Sequence, residues 1–188
     1  MKPRYYFVTL LISIKLWLVS DQPLWARADF IQDDLLFVRL ANHLLQFDWL
    51  GPYDNLTLVK GPFYPLWIAF SFLAGVPLLL SQHLLYIAAC LVADQALRPL
   101  IERPAARLAL FALLLFNPAT FSFPLTCVLR DALYPGLTLL MTAATIGLFV
   151  RRYAPARSLI HWALMAGLTT TAFWLTREEG VWMLPFLI

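Results

Sequence analysis

Charge is scarce in this chain: Asp, Glu, Lys and Arg make up 13% of its 188 residues, against 61% hydrophobic residues. A water-soluble domain of this size cannot cover itself with so little charge, which excludes a soluble enzyme or binding module. Cysteine is scarcer still, and the two thiols, Cys90 and Cys127, give neither a disulfide framework nor metal-ligand spacing. His43, His83 and His161 fall on separate segments with no partner at ligand spacing, which argues against a zinc site. The seven glycines form no phosphate-binding loop, and neither a nucleophile elbow nor an internal repeat is present.

What the chain has instead is a series of apolar runs, with a mean hydropathy of +0.73. Residues 5–20, 82–101, 108–125, 133–150 and 159–175 reach the length needed to cross about 30 Å of hydrocarbon. The expected fold is therefore an all-α polytopic membrane protein, one transmembrane domain over residues 1–188. A further apolar run begins at 181–188, and its lack of a polar flank leads us to expect the N-terminal part of a longer protein. The run 63–80 is as apolar as the others but carries Pro65, Gly75 and Pro77. Its uninterrupted helix, 65–74, measures about 15 Å and is too short to cross.

The basic residues test that placement, because Lys and Arg in short loops collect on the cytoplasmic side. Lys2 and Arg4 form one group, Arg98, Arg103 and Arg107 a second, and Arg151, Arg152 and Arg157 a third. A crossing helix in 63–80 puts the first two groups on opposite sides; a re-entrant or interfacial one puts all three together. The second topology is expected, with the N-terminus cytoplasmic, a long external loop at 21–81, and further external segments at 117–132 and 176–180. The expected location is the bacterial inner membrane. Ala26-Arg27-Ala28 mimics a signal-peptide cleavage site, but Lys15 within the apolar run and the Pro-Leu-Trp before it favour an uncleaved first span. The Arg groups and the formal charge of +3 suit anionic lipid headgroups; no nucleic-acid partner is expected. Asp94, an acid outside the external segments, is expected to pair with Arg98 four residues later.

Polarity and helix period crowd together in residues 33–65, DDLLFVRLANHLLQFDWLGPYDNLTLVKGPFYP. From residue 32 to 47 an interfacial helix is expected, with Arg39, Asn42, His43 and Gln46 on one face and Leu36, Leu40, Leu44 and Phe47 on the other. Asp33 and Asp34 open it. Acids there commonly cap a helix and favour its positive end. Lys60 has an equally plain role, snorkelling to the interface beside Tyr53 and Tyr64. Arg130 and Asp131 read as a local ion pair or as substrate contacts, and Arg177, Glu178 and Glu179 as a solvated turn or as part of a site.

The order of these parts carries a resemblance. Asp33-Asp34, the amphipathic helix, Phe47-Asp48-Trp49-Leu50, Lys60-Gly61-Pro62-Phe63-Tyr64-Pro65 and a short apolar helix ending near Gly75 follow one another. This resembles the first external loop of GT-C membrane glycosyltransferases, in the group of protein O-mannosyltransferases and lipid A aminoarabinose transferases. Members typically show an Asp-Glu pair, a Gly-Asp-Trp turn and a Lys-Pro-Pro-Leu segment; Asp34 here stands in place of Glu and Gly61 in place of the first Pro. Gly167-Leu168 and Leu175-Thr176-Arg177 match a later segment of the family more loosely, and the family's second half is absent.

The resemblance implies a GT-C-like helix bundle with juxtamembrane helices in its first loop. It also implies transfer of a sugar from a polyprenyl-phosphate donor to an acceptor hydroxyl at the external face. The acceptor is a lipid, a glycan or a protein, and the bilayer is the other partner. Asp33 becomes the carboxylate that orients or deprotonates the acceptor, with Asp34 assisting or, if a divalent cation is used, binding it. Lys60 is assigned to the donor phosphate, with Arg177 and Arg130 as further cations; Arg39, His43, Tyr64, Asp131, Glu178 and Glu179 are possible substrate contacts. The alternative class is a lipid-linked-sugar transporter or flippase, or a non-catalytic membrane scaffold. A transporter is expected to carry ionisable groups or broken helices near mid-membrane, where this sequence is almost wholly apolar.

Overall fold

The computed structural model describes residues 3–25, 34–52 and 60–177, and of Pro3, Asp34, Phe123 and Pro124 the backbone alone. Seven α-helices occupy these residues: α1 (Pro3–Ser20), α2 (Asp34–Leu45), α3 (Phe63–Leu73), α4 (Leu78–Ala96), α5 (Pro104–Leu115), α6 (Tyr134–Val150) and α7 (Ala156–Thr176). Three short 3-10 turns, Pro118–Phe121, Phe123–Thr126 and Arg130–Ala132, connect α5 to α6. Proline sets most of the helix starts. Pro62, Pro77 and Pro155 are N-caps of α3, α4 and α7, and Pro104 opens α5 at a position whose N–H has no intrahelical partner anyway. Pro118 ends the α5 run and opens a 3-10 turn capped by Asn117, whose side chain accepts from the Ala119 N–H at 3.0 Å.

Four helical segments among the described residues are long and apolar enough to cross a membrane: Leu78–Ala96, Pro104–Phe121, Arg130–Val150 and Ala156–Thr176. Helix α1 matches them in length at 18 residues but carries Arg4 and Lys15 and is not one of the four. The expected run 82–101 is displaced to 78–96, because Pro77 sets the start and the chain turns at residues 97–100. The run 108–125 begins earlier, at Pro104, and leaves α-helix at Phe116. The runs 133–150 and 159–175 correspond to α6 and α7 within a few residues; 181–188 lies outside the described residues.

Helix α3 has 11 residues, about 16 Å, too short to cross. It ends at Ala74, and Gly75, with φ +65°, turns the chain toward α4. It is tied to the start of α4 by side chains: Trp67 Nε1 donates to Ser81 Oγ at 3.0 Å, the Ser71 and Ser81 hydroxyls meet at 2.8 Å, and Gln82 Nε2 donates to the Tyr64 hydroxyl at 3.3 Å.

The bundle has a cluster of buried apolar side chains at each junction. Phe37 of α2, Tyr64 of α3, Val128, Leu133, Leu137 and Met141 before and on α6, and Phe173 of α7 form one, joining the short helices to the long ones. Tyr86, Ile87 and Cys90 of α4 meet Phe111 and Leu115 of α5 and the apolar face of α1 in a second. At the other end of the bundle Ala93, Ala96 and Ala143 pack with Trp162. There Gly147 lets α6 and α7 approach, since a Cβ on it would run into the Trp162 ring.

Asp94 does not pair with Arg98. It accepts from Arg4 of α1, and from Arg107 of α5 through Nε at 3.1 Å and Nη2 at 2.6 Å. The reason is local: α4 ends at Ala96, so Arg98 stands in the turn beyond it, while Arg107 presents its fork to both carboxylate oxygens. This brings the starts of α1 and α5 to the end of α4. Arg151, just past α6, donates to the Gln95 and Ala96 carbonyls at 2.7 and 3.2 Å and joins the same end of the bundle.

Candidate functional site

Helix α2 is amphipathic, and its buried stripe is Leu36, Phe37, Leu40 and Ala41, with Leu35, Val38 and Arg39 facing away. Leu44 lies at the edge of that stripe. Phe47, expected on the apolar face, is fully exposed. The cause is the backbone, which leaves helix after Leu45 and passes through φ +60° at Phe47, swinging its side chain off the stripe. His43 Nδ1 then meets Asp48 at 2.9 Å across this turn.

The buried stripe seats α2 on α3. Phe37 and Tyr64 meet edge to face with ring centroids 5.0 Å apart, and Tyr64 is wholly buried. The Lys60 ammonium lies 5.6 Å from the centroid of Phe37, within reach of the ring's negative face. Next to Lys60, Gly61 packs so closely on the end of α7 that an added Cβ would overlap the Leu175 carbonyl. Arg177, two residues further on, pairs with Asp131 at 3.1 Å, and its guanidinium lies 5.2 Å from the Tyr134 ring. Tyr134 and Phe173 are themselves 4.9 Å apart.

The result is a charged rim on an aromatic floor. Lys60, Arg177 and Asp131 stand over Phe37, Tyr64, Tyr134 and Phe173, at the end of the bundle where α2 begins. Arg130 adjoins Asp131 on the same 3-10 turn. The local Arg130–Asp131 pair weighed from sequence is replaced by one between Asp131 and Arg177, since the chain returns to this end after α7. His43 lies almost two turns along α2 from Phe37 and is engaged with Asp48, away from the rim. Arg39, one turn before His43, is on the exposed side of α2. Asp33, Glu178 and Glu179 lie outside the described residues, as does the side chain of Asp34. Among the described residues no group of three or more His, Cys, Asp or Glu is arranged to hold a metal ion.

One polar cluster was not anticipated from sequence. Lys15 of α1 is wholly buried, donates to Thr120 Oγ1 at 2.6 Å, and lies 3.6 Å from the Phe121 ring centroid. Buried His83 and Gln82 sit beside it around a cavity of about 10 Å³ that Thr120 and Tyr86 also line. Gln82 connects this cluster to the floor of the rim through the Tyr64 hydroxyl. The one signal that pointed to it was the charge itself, because a lysine inside an apolar run is costly unless it is partnered.

Comparison with protein-family models, with curated proteins and with solved structures finds no match.

Proposed function

We propose that this chain is a GT-C-like membrane glycosyltransferase that moves a sugar from a polyprenyl-phosphate donor to an acceptor hydroxyl at the external face. The observation that carries the reading is Lys60 over Phe37. Phe37 is in the first turn of α2, so the lysine assigned to the donor phosphate stands beside the helix start at Asp34, which Asp33 precedes in sequence.

On this reading the acceptor oxygen attacks the anomeric carbon and gives its proton to Asp33. The bond from that carbon to the phosphate oxygen breaks, and the departing lipid phosphate keeps the electron pair. Lys60, with Arg177 and Arg130 near it, stabilises the charge that develops there. The aromatic floor supports the reading, because it holds the cations over low-dielectric surface where they act more strongly than in water. Asp131 holds the Arg177 fork in one orientation. Asp34 remains the residue for a divalent cation, if the reaction uses one.

A transporter or flippase of lipid-linked sugars is the second reading, and buried Lys15 is the observation that favours it. A scaffold of the same fold without activity has no feature of its own in its favour. The test is transfer from a panel of labelled polyprenyl-phosphate sugars in membranes containing the gene product. Sugar transfer that Asp33→Asn abolishes supports the enzyme. Movement of the lipid-linked sugar across the membrane without transfer overturns it.

A further inference from the structure

We propose that the cavity at the opposite end of the bundle, away from α2 and α3, binds the phosphate headgroup of an anionic phospholipid. The cavity measures about 910 Å³ and is lined by Arg4, Arg98, Arg107 and Arg151 against Asp94 and Glu102. Four guanidiniums facing two carboxylates leave a surplus of two positive charges, which a phosphodiester monoanion would halve.

The four are not equivalent. Arg4 and Arg107 share the single carboxylate of Asp94, and the Arg107 side chain is only 10% exposed, so these two form a fixed wall. Arg4 nevertheless keeps a buried Nε–H that meets no acceptor among the described residues. Such a donor is costly to bury unless an acceptor reaches it. Arg151 is fixed by the carbonyls at the end of α4 and by the Trp162 ring 4.6 Å away. Burial, and then the nearby charge of Arg98, holds its guanidinium below its ordinary pKa. Two like charges facing one cavity, one of them partly desolvated, are relieved by an anion between them.

The rest of the lining selects the kind of anion. Val8, Leu91, Phe111 and Trp162 give the cavity an apolar wall among the long helices. A small free anion has no use for that wall, whereas a lipid places its phosphate among the arginines and its chains along it. Exposed Tyr5, which lines the cavity, suits contact with the bilayer interface.

The experiment uses the full chain in phosphatidylcholine nanodiscs, with phosphatidylglycerol titrated in and retained lipid counted by native mass spectrometry. Arg98→Gln should weaken phosphatidylglycerol retention about fivefold, as expected for one interfacial cation. Arg103→Gln, an exposed change in the same linker that does not line the cavity, should leave it unchanged. Arg151→Lys keeps the charge and guards against loss of the α4 cap; it should weaken retention less than Arg98→Gln. Equal effects of Arg98→Gln and Arg103→Gln would reduce the binding to diffuse surface charge and overturn the site. Displacement of the lipid by millimolar inorganic phosphate would overturn the lipid as its ligand.

Discussion

Gly61 lies against the backbone of Leu175 so closely that a Cβ would sit 2.7 Å from the Leu175 carbonyl carbon and overlap its oxygen. The contact seats the start of α3 on the end of α7 and holds Lys60 and Arg177 in one neighbourhood. The ring of a proline at this position would meet the same carbonyl.

Gly61→Ala should therefore loosen α3 from α7, at a cost of about 1–3 kcal/mol from overpacking against backbone. Gly75→Ala is the comparison, because Gly75 has open space around it and only its φ of +65° resists a side chain. Thermal unfolding in detergent should rank Gly61→Ala as the more damaging of the two.

The Asp94 assignment gives a second expectation. Asp94→Asn removes the negative charge that Arg4 and Arg107 share and should cost roughly 2–4 kcal/mol, somewhat less than for a fully buried pair because the carboxylate is 15% exposed. Arg98→Gln should leave thermal stability unchanged within about 0.5 kcal/mol. Equal losses would restore the Asp94–Arg98 pair expected from sequence.

How much of this was legible in the sequence depends on how locally each feature is written. The long helices follow from apolar runs, and their starts from Pro62, Pro77, Pro104 and Pro155, which act on the residues beside them. The shortness of α3 was read the same way, from Pro65 and Gly75. What was misread depends on partners distant in the chain. Lys15 and Thr120 are 105 positions apart, and Arg4 and Asp94 are 90 apart; no periodicity encodes such pairings. The rim was partly legible, because the resemblance points to Lys60 and the scarcity of charge singles out Arg130 and Arg177. It did not pair Arg177 with Asp131 or set Lys60 on Phe37, since those contacts come from the packing of α2, α3 and α7.

Lys15 offers a test of a buried charge. Lys15→Met fills a similar volume and leaves Thr120 Oγ1 its bond to the Asn117 carbonyl at 2.7 Å, so stability should change by no more than about 1 kcal/mol. Lys15→Ala leaves a cavity and should cost about 2–4 kcal/mol. If Lys15→Met also abolishes activity while stability holds, the cluster beneath Tyr64 contributes to function as well as packing.

Topology is open to cysteine labelling, with buried Cys90 and Cys127 replaced first. Ala74→Cys and Trp49→Cys should react with an impermeant reagent from the same side of the membrane, and Arg103→Cys from the other. Labelling of Trp49→Cys together with Arg103→Cys, with Ala74→Cys on the opposite side, would mean that α3 crosses.

The central claim is that the end of the bundle carrying α2 and Lys60 binds the phosphate of a polyprenyl-phosphate sugar. The most direct measurement is the dependence of transfer rate on donor concentration for wild type, Lys60→Arg and Lys60→Ala. The account predicts that Lys60→Ala raises the donor KM or lowers kcat/KM at least about tenfold, the scale of one lost charge-assisted bond, and that Lys60→Arg recovers much of the loss. Wild-type kinetics in Lys60→Ala would contradict it.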